Sequence, residues 1–465
     1  MKLVEVYKVP AVCEVVMRMR DLVPEHRAQL SDAELSGLRN LTQDLLAASP
    51  GAAQEYGRFL ETGRRSTGLP SADLEAWLPG KSVLVTGGTG CIGSALMAQL
   101  AGFRPRRLVS LSRGCTVGPR VNRAEYACAD IRDPARLGAV FGKVRPDVVF
   151  HVAAQRDPGL AEHEVHRTVT TNVLGTRNVI AAAAGSGVRQ LVCASTGKAL
   201  RPYSPDVYTA SKRAAEWLLS QAAAGGLACY SAARFTHVVD NSIIHARLLE
   251  WCEAGAGLIR LHSPDAAFYA QSALESAQLL LGASASGGEG SGALRVHALT
   301  NLGWPVSLLD MALGVLGRTG SAAPIYFSGY DRGYEATPFP GLYDPETAGD
   351  VSPLLNAFEA AQAERSPCPG ADAFQLDVAP VPELAERMHA LDDICARTRD
   401  PGPVRAVLDE LSWSLLDATL QAVPHEALAR AAELTAPHRD NLNAEHARIL
   451  KAVEHHMAVG ESSLI

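Results

Sequence analysis

A tyrosine and a lysine stand four residues apart in the segment Tyr208-Thr-Ala-Ser-Lys212. On a helix this spacing places both side chains on one face. An ammonium group near a phenol stabilises the phenolate and lowers the tyrosine pKa, which suits the tyrosine to act as a base on a hydroxyl group. The same spacing also arises by chance, so its meaning depends on the elements around it. We predict Tyr208, Lys212 and the nearby hydroxyl of Thr196 as catalytic residues.

A glycine-rich turn provides the second group of chemically informative residues. The apolar run Val83-Leu-Val85 precedes it, and the helical stretch Ser94-Ala-Leu-Met-Ala-Gln-Leu100 follows it. Its glycines would allow a tight turn, the approach of a pyrophosphate to the backbone, and close packing of the helix. The helix would direct free N–H groups at the phosphates. We predict a dinucleotide site rather than a turn without a ligand, formed by Gly87, Thr89, Gly90, Cys91, Ile92 and Gly93. Lys212 is suited to hold the nicotinamide ribose.

The residues after the second predicted strand indicate which dinucleotide is bound. An acidic residue there would favour NAD, but the chain has Ser112 and Arg113. A hydroxyl and a guanidinium suit a 2′-phosphate, so we expect NADP, with NAD as the alternative cofactor. Arg113 as a solvated loop residue is the other interpretation.

The ends of the next two strands complete the predicted cofactor site. Asp130 and the N–H of Ile131 are placed to hold the adenine edge; the alternative is that Asp130 caps the helix that begins near Pro134. Ala153 and Ala154 follow the fourth predicted strand and are included in the same site.

From Lys81 onward, short apolar runs alternate with helical stretches. This alternation predicts an α/β fold, a Rossmann-like doubly wound parallel sheet with ligands at the carboxyl ends of its strands. The predicted strands are 82–86, 107–112, 125–129, 147–151, 190–195 and 228–233. The predicted helices are 91–102, 134–142, 165–186 and 206–223.

The whole chain of 465 residues is long enough for several domains. We predict a helical N-terminal extension at 1–79 and an NAD(P)-binding Rossmann domain at 80–235. A smaller substrate-binding lobe, partly returning to the Rossmann core, is predicted at 236–350, and a helical C-terminal region at 351–465.

Composition excludes several classes of partner. The net charge of −7 and the lack of a basic face argue against nucleic acid. No apolar run reaches the roughly 18 residues of a membrane span. We expect no metal site, because His455-His456 has no further ligands at suitable spacing. The N-terminus lacks a signal peptide and the nine cysteines form no C-x-x-C pair, so we expect a cytoplasmic protein.

With the glycine turn, Asp130 and the Tyr/Lys pair, the chain resembles the extended short-chain dehydrogenase/reductases. A closer resemblance is to the UDP-N-acetylglucosamine 4,6-dehydratases of polysaccharide biosynthesis. It is carried by Pro146-Asp-Val-Val-Phe-His-Val-Ala-Ala-Gln155, Thr171-Asn-Val-Leu-Gly-Thr176 and Ser195-Thr-Gly-Lys198. Those enzymes oxidise a sugar at C4 with bound NADP, eliminate water across C5 and C6, and return the hydride to C6.

The resemblance implies an Asp-Lys pair as the acid and base of the elimination. Lys198 matches the lysine and is therefore included as catalytic, but Gly197 replaces the aspartate and cannot transfer a proton. Asp206 is the acid on the same loop that could compensate, or it is the N-terminal cap of the Tyr208 helix.

The sequence thus favours an NAD(P)-dependent oxidoreductase or epimerase that acts on a secondary alcohol of a nucleotide-sugar or a similar phosphorylated polyol. The alternatives are a 4,6-dehydratase with a relocated acid and a non-catalytic NADP-binding scaffold. Because extended reductases commonly pair through helices of the cofactor domain, we also expect a homodimer.

Overall fold

The computed structural model describes residues 10–114, 121–226, 228–253, 257–285, 292–334, 341–342, 350–441 and 444–462. The chain divides into two compact units. The sheet unit comprises Ser66–Phe235, Leu274–Asn301 and Thr337–Ile465, and the small unit comprises Met1–Arg65, Thr236–Ala273 and Leu302–Ala336.

The helices of the described residues alternate with strands through most of the chain. In chain order they are α1 (Pro10–Leu22), α2 (Asp32–Ala48), α3 (Ala52–Thr62), α4 (Ser71–Trp77), α5 (Cys91–Gly102), α6 (Pro134–Val144), α7 (Pro158–His163), α8 (Val165–Val169), α9 (Gly175–Gly185), α10 (Val207–Ala224), α11 (Ile243–Glu253), α12 (Ala273–Ala285), α13 (Leu308–Thr319), α14 (Ala357–Ala361), α15 (Pro382–Arg397), α16 (Pro401–Ala422), α17 (His425–Thr435) and α18 (Ala444–Ser462).

The strands are β1 (Ser82–Thr86), β2 (Arg107–Ser112), β3 (Ala124–Cys128), β4 (Val148–His151), β5 (Gln190–Thr196), β6 (Cys229–Phe235), β7 (His237–Val238), β8 (Ile259–Leu261), β9 (Ala267–Phe268), β10 (Ala270–Gln271), β11 (Leu294–Leu299), β12 (Val306–Ser307), β13 (Ile325–Phe327), β14 (Glu364–Arg365) and β15 (Ala371–Leu376).

The main sheet has the strand order β14-β15-β11-β6-β5-β4-β1-β2-β3. The strands from β11 to β3 are parallel, whereas β15 and β14 are antiparallel additions at one edge. All five residues of β1 are buried, as expected for a strand covered on both faces. The predicted doubly wound α/β sheet is confirmed. Its strand order reverses between β1 and β4, which is where such folds bind their ligands.

Two parts of the sheet unit differ from the predicted elements. The helix predicted over 165–186 is interrupted by a π-helical turn at Thr170–Leu174, between α8 and α9. The predicted helical C-terminal region also contributes β14 and β15, which pair with each other and extend the main sheet through β11. The run Ala371–Leu376 is too short for its periodicity to identify it as a strand.

The small unit joins the N-terminal helices to the predicted substrate lobe. Apolar side chains of α1–α3, including Met19, Leu45 and Phe59, share one core with Leu313 and Ile325. Helices α3 and α13 approach so closely that a Cβ on Gly314 would lie 2.3 Å from Cβ of Tyr56. The helices predicted within the N-terminal extension at 1–79 thus bury their apolar faces in this core, as amphipathic helices require.

The C-terminal helices of the sheet unit cover the helices of the cofactor domain. Leu384, Leu391, Leu408 and Leu411 of α15 and α16 form one core with apolar side chains of α7, α8 and α10, including Trp217. In the described part of the chain, no helix combines the length and the apolar character needed to cross a membrane.

Candidate active site

The glycine turn between β1 and α5 has the backbone geometry that its glycines permit. Gly87 has φ +73°, and a Cβ there would lie 2.8 Å from the backbone nitrogen of Ala153, after β4. A Cβ on Gly93 would lie 2.1 Å from the carbonyl oxygen of Gly87. Side chains at these two positions would therefore disrupt the turn and its contact with the end of β4.

The start of α5 fits the phosphates of a dinucleotide. Gly90 is the N-cap residue, and no side chain caps the helix there. The first turn contains no acidic residue, so its N–H groups and the positive end of the helix dipole are suited to an anion. The other predicted residues of the turn, Thr89, Cys91 and Ile92, are half-buried around it.

The predicted adenosine end of the site is charged. Arg113 is exposed after β2, while the Ser112 hydroxyl donates to the carbonyl oxygen of Gly114 at 2.8 Å. The Arg132 guanidinium donates to both carboxylate oxygens of Asp130, at 2.7 Å to Oδ2 and 3.1 Å to Oδ1. These hydrogen bonds chiefly hold the pKa of Asp130 below its ordinary value, and the Arg113 charge contributes in the same direction.

Asp130 does not cap helix α6, which was the alternative role that the sequence allowed for it. The side chain of Asp133 accepts from the N–H of Arg136 and caps α6. The residue after Asp130, Ile131, is buried, and its carbonyl oxygen accepts a hydrogen bond from Asn178 at 3.0 Å. The carboxylate of Asp130 therefore serves a purpose other than starting α6.

The loop after β4 is held against β1 and against the π-helical turn. The Thr86 hydroxyl oxygen accepts from the N–H groups of Val152 and Ala153, at 3.2 and 3.3 Å. The next residue, Ala154, is exposed. Asn172 accepts from the N–H of Gln155 at 2.8 Å and donates to the carbonyl oxygen of the same residue at 3.0 Å.

Asn172 also connects this loop to the helix that carries Tyr208. Its amide donates to Oγ of Ser211 at 3.1 Å, and Ser211 donates to the carbonyl oxygen of Tyr208 at 2.7 Å. Turns of π-helix are frequent at functional sites. The sequence analysis did not assign Asn172 a role of its own, although the residue lies in the segment Thr171–Thr176 that carries the family resemblance.

Tyr208 lies in the first turn of α10, beside Thr196 at the end of β5. Burial of its hydroxyl raises the pKa of Tyr208, while a hydrogen bond with the Thr196 side chain and the positive charge of Arg156 partly oppose this. The expectation that Lys212 lowers this pKa is therefore corrected. The cation that acts on Tyr208 is Arg156, which the sequence analysis did not single out.

Lys212 instead contacts the carboxyl end of β5. Its ammonium group is buried and donates to the carbonyl oxygen of Ala194 at 2.6 Å. This contact fixes the ammonium on the edge of the sheet at which the glycine turn also lies. The arrangement suits binding of a ribose hydroxyl rather than activation of the phenol.

An apolar side chain fills the space beside Gly197, the position at which the resemblance implies an aspartate. A Cβ on Gly197 would lie 2.7 Å from Cδ2 of Leu354. The next residue, Lys198, is half-buried, and its N–H donates to the Thr196 hydroxyl at 3.3 Å. An aspartate at position 197 would require Leu354 to move.

Asp206 makes an ion pair rather than a capping hydrogen bond. It occupies the N-cap position of α10, yet its side chain makes no capping hydrogen bond. Its buried carboxylate pairs with the guanidinium of Arg201, which also contacts Glu445.

A buried charge network holds the loop between β5 and α10. Arg234 is fully buried and pairs with Glu216 at 2.9 Å and with Glu359 at 2.6 Å. Burial alone would raise the pKa of Glu216, but the charges of Arg234 and Arg213, together with hydrogen bonds from Arg234 and Ser195, outweigh burial and lower the pKa. Ser195 donates to Glu216 at 2.6 Å, and Arg213 donates to the carbonyl oxygen of Ala199 at 3.0 Å. These contacts hold the β5 end of the loop against α10.

Comparison with curated proteins finds relatives in polysaccharide biosynthesis. The chain is 28% identical over 287 residues to the probable polysaccharide biosynthesis protein EpsC of Bacillus subtilis, covering 58% of this chain and 46% of that protein. It is 30% identical over 175 residues to a UDP-N-acetylglucosamine 4,6-dehydratase (inverting) of Campylobacter jejuni, covering 36% of this chain and 51% of that protein. The chain thus spans about half the length of these relatives.

Comparison with solved structures supports the fold. The structure of Pen from Bacillus thuringiensis aligns with a TM-score of 0.53 and 23% identity, covering 64% of this chain and 87% of that one. Residues 83–333, more than half of the chain, match the family described as polysaccharide biosynthesis protein. The chain therefore belongs to the polysaccharide biosynthesis protein family.

Proposed function

We propose that this protein binds a nicotinamide dinucleotide and oxidises a secondary alcohol on a nucleotide-sugar or a similar phosphorylated polyol. The observation that carries this proposal is the arrangement at the carboxyl ends of β1 and β5. There the start of α5 is suited to phosphates, and Tyr208 and Lys212 are placed beside Thr196 and Ala194. The relative named as a UDP-N-acetylglucosamine 4,6-dehydratase supports a nucleotide-sugar as the substrate class.

Each residue of this arrangement has a distinct proposed role. Tyr208 takes the proton of the substrate hydroxyl, and Thr196 orients that hydroxyl. Lys212, held by the Ala194 carbonyl, binds the ribose of the cofactor. The bound cofactor supplies the acceptor for the hydride that leaves the alcohol carbon. The exposed guanidinium of Arg113 favours NADP over NAD.

Elimination of water is not part of the proposed reaction. It needs a proton donor for the leaving hydroxyl, and Leu354 fills the space that a side chain at Gly197 would enter. Asp206 is paired with Arg201 and does not supply this acid. The proposed product is therefore a ketone or a 4-epimer that keeps every oxygen atom of its substrate. The Tyr208–Thr196 pair favours this enzyme over a non-catalytic scaffold.

Mass spectrometry of the products separates these reactions. The protein is incubated with NADP and a panel of UDP- and dTDP-sugars in deuterated buffer. The expected product of an accepted sugar shows neither the mass loss of water nor deuterium at C5. A dehydrated product that disappears in Asp206→Asn would contradict the proposal and show that Asp206 supplies the acid.

A further inference from the structure

The first turn of α10 is capped from a distant part of the sheet unit. The N–H of Val207, the residue before Tyr208, donates to Oε1 of Glu162 on α7 at 2.8 Å. A free N–H in the first turn of a helix needs such an acceptor. Since Asp206 does not supply it, the start of the helix depends on the position of Glu162.

Glu162 is held in turn by Arg405 of α16. One guanidinium nitrogen of Arg405 contacts Oε2 of Glu162, and another donates to its backbone oxygen at 3.0 Å. The Glu162 side chain is 3% exposed and that of Arg405 is 17% exposed. Because water screens this pair poorly, losing one partner perturbs it more than it would an exposed surface pair.

Two further residues of α16 contact the loop before α10. The Tyr203 hydroxyl donates to Oδ1 of Asp409 at 2.6 Å. The Tyr203 ring packs edge-on against Trp413, with 4.8 Å between the ring centroids. Arg405, Asp409 and Trp413 are spaced by four residues and therefore share one face of α16. This face contacts both the loop and the cap of the helix that carries Tyr208.

We propose that α16 positions Tyr208, with Arg405 as a positioning residue that acts through Glu162. This inference rests on the proposed function of Tyr208 as the base. It assigns a role to a helix outside residues 83–333, the part of the chain that matches the family. If the first turn of α10 shifts, the phenol moves relative to Thr196, and a misplacement of about 1 Å can lower a rate by about a hundredfold.

Hydrogen exchange of the intact protein tests the contact without relying on catalysis. In Arg405→Ala, exchange at the amides of residues 207–210 should be at least about fivefold faster, the change expected from loss of a helix cap. Arg405→Lys should restore part of the protection. Arg387→Ala is the matched control, because Arg387 pairs with Glu410 between α15 and α16 and is exposed. Tyr203→Phe, which loses the bond to Asp409, is the second test variant.

Kinetics then tests the consequence for the reaction. With an accepted sugar, kcat of Arg405→Ala should fall by about tenfold or more while NADP affinity is unchanged. The positioning role is overturned if Arg405→Ala and Tyr203→Phe match Arg387→Ala in both exchange and kcat. If amide exchange is faster in Arg405→Ala but Tyr208→Phe has the same kcat as the unaltered protein, the proposed function of Tyr208 is wrong. The contact would then position the helix without a consequence for catalysis.

Discussion

The surroundings of Tyr208, the proposed base, favour its protonated form. Burial raises its pKa above the ordinary value of 10.0, so the phenol retains its proton near neutral pH. Thr196 and Arg156 each favour the phenolate and partly offset the burial. The ionisation of this one hydroxyl therefore depends on neighbours at the ends of β4 and β5.

The pH dependence of alcohol oxidation follows from this. A raised pKa means that the phenolate forms at higher pH, so the rate should increase as the pH rises. Thr196→Val removes a hydrogen bond that lowers the pKa, and the rate profile should move to higher pH. Thr168→Val, at a buried threonine whose hydroxyl has no partner among the described residues, should leave the profile unchanged. Identical profiles for the two variants would refute the role of Thr196.

We predict that the choice between NADP and NAD depends on a single residue, Arg113. Arg113→Ala should weaken NADP binding by about 1–3 kcal/mol, the range for a charge-assisted hydrogen bond. NAD has no 2′-phosphate, so its affinity should stay the same and serve as the internal control. Calorimetric titration with both cofactors measures this. An equal loss for NADP and NAD would exclude Arg113 as the selecting residue.

At the scale of elements, local patterns and long-range contacts differ in how well the sequence predicts them. Strands β1 and β2 and the helix α5 have the predicted bounds, because apolar runs and glycine turns are local signals. The pairing of Arg234 with Glu359 joins residues 125 positions apart, and no local pattern encodes it. The sequence also showed that Gly197 stands where the resemblance implies an acid. It did not predict that the Leu354 side chain lies beside this position.

The buried ion pairs of Arg234 with Glu216 and Glu359 should contribute more to the free energy of unfolding than exposed ion pairs do. Glu216→Gln removes one charge facing Arg234, and breaking a buried pair costs about 3–5 kcal/mol of unfolding free energy. Glu364→Gln is the matched control. Its side chain is 75% exposed in a pair with Arg295, so the loss should be below about 1 kcal/mol. Urea denaturation of both variants measures the difference, and similar losses would contradict the account.

At the scale of the whole molecule, the C-terminal helices restrict how two copies can associate. The homodimer stays a prediction. Pairing through the face of α8 and α10 that contains Trp217 is not available, because α15 and α16 already bury that face. A second copy would have to use another surface. The C-terminal region thus replaces an expected intermolecular contact with an intramolecular one.

Stability of the whole chain should decrease in mild acid. His151 and His297 are buried, and burial lowers the pKa of each to about 3. Below the ordinary value of 6.5 the unfolded chain binds protons that the folded chain does not, so unfolding becomes easier as the pH falls from 6.5 towards 3. Each histidine contributes up to about 1.4 kcal/mol per pH unit. In His297→Gln the loss between about pH 6.5 and 4 should be smaller; an unchanged slope would contradict this assignment.

The central claim, that Tyr208 takes the hydroxyl proton of an alcohol while a bound nicotinamide accepts its hydride, is tested most directly by single-turnover absorbance. The protein loaded with NADP is mixed with a panel of nucleotide-sugars, and the band of reduced nicotinamide is followed over time. For an accepted sugar the band should appear in the unaltered protein and form at least about a hundredfold more slowly in Tyr208→Phe. Formation of the band at the same rate in both proteins, or no band with any sugar, would contradict the account.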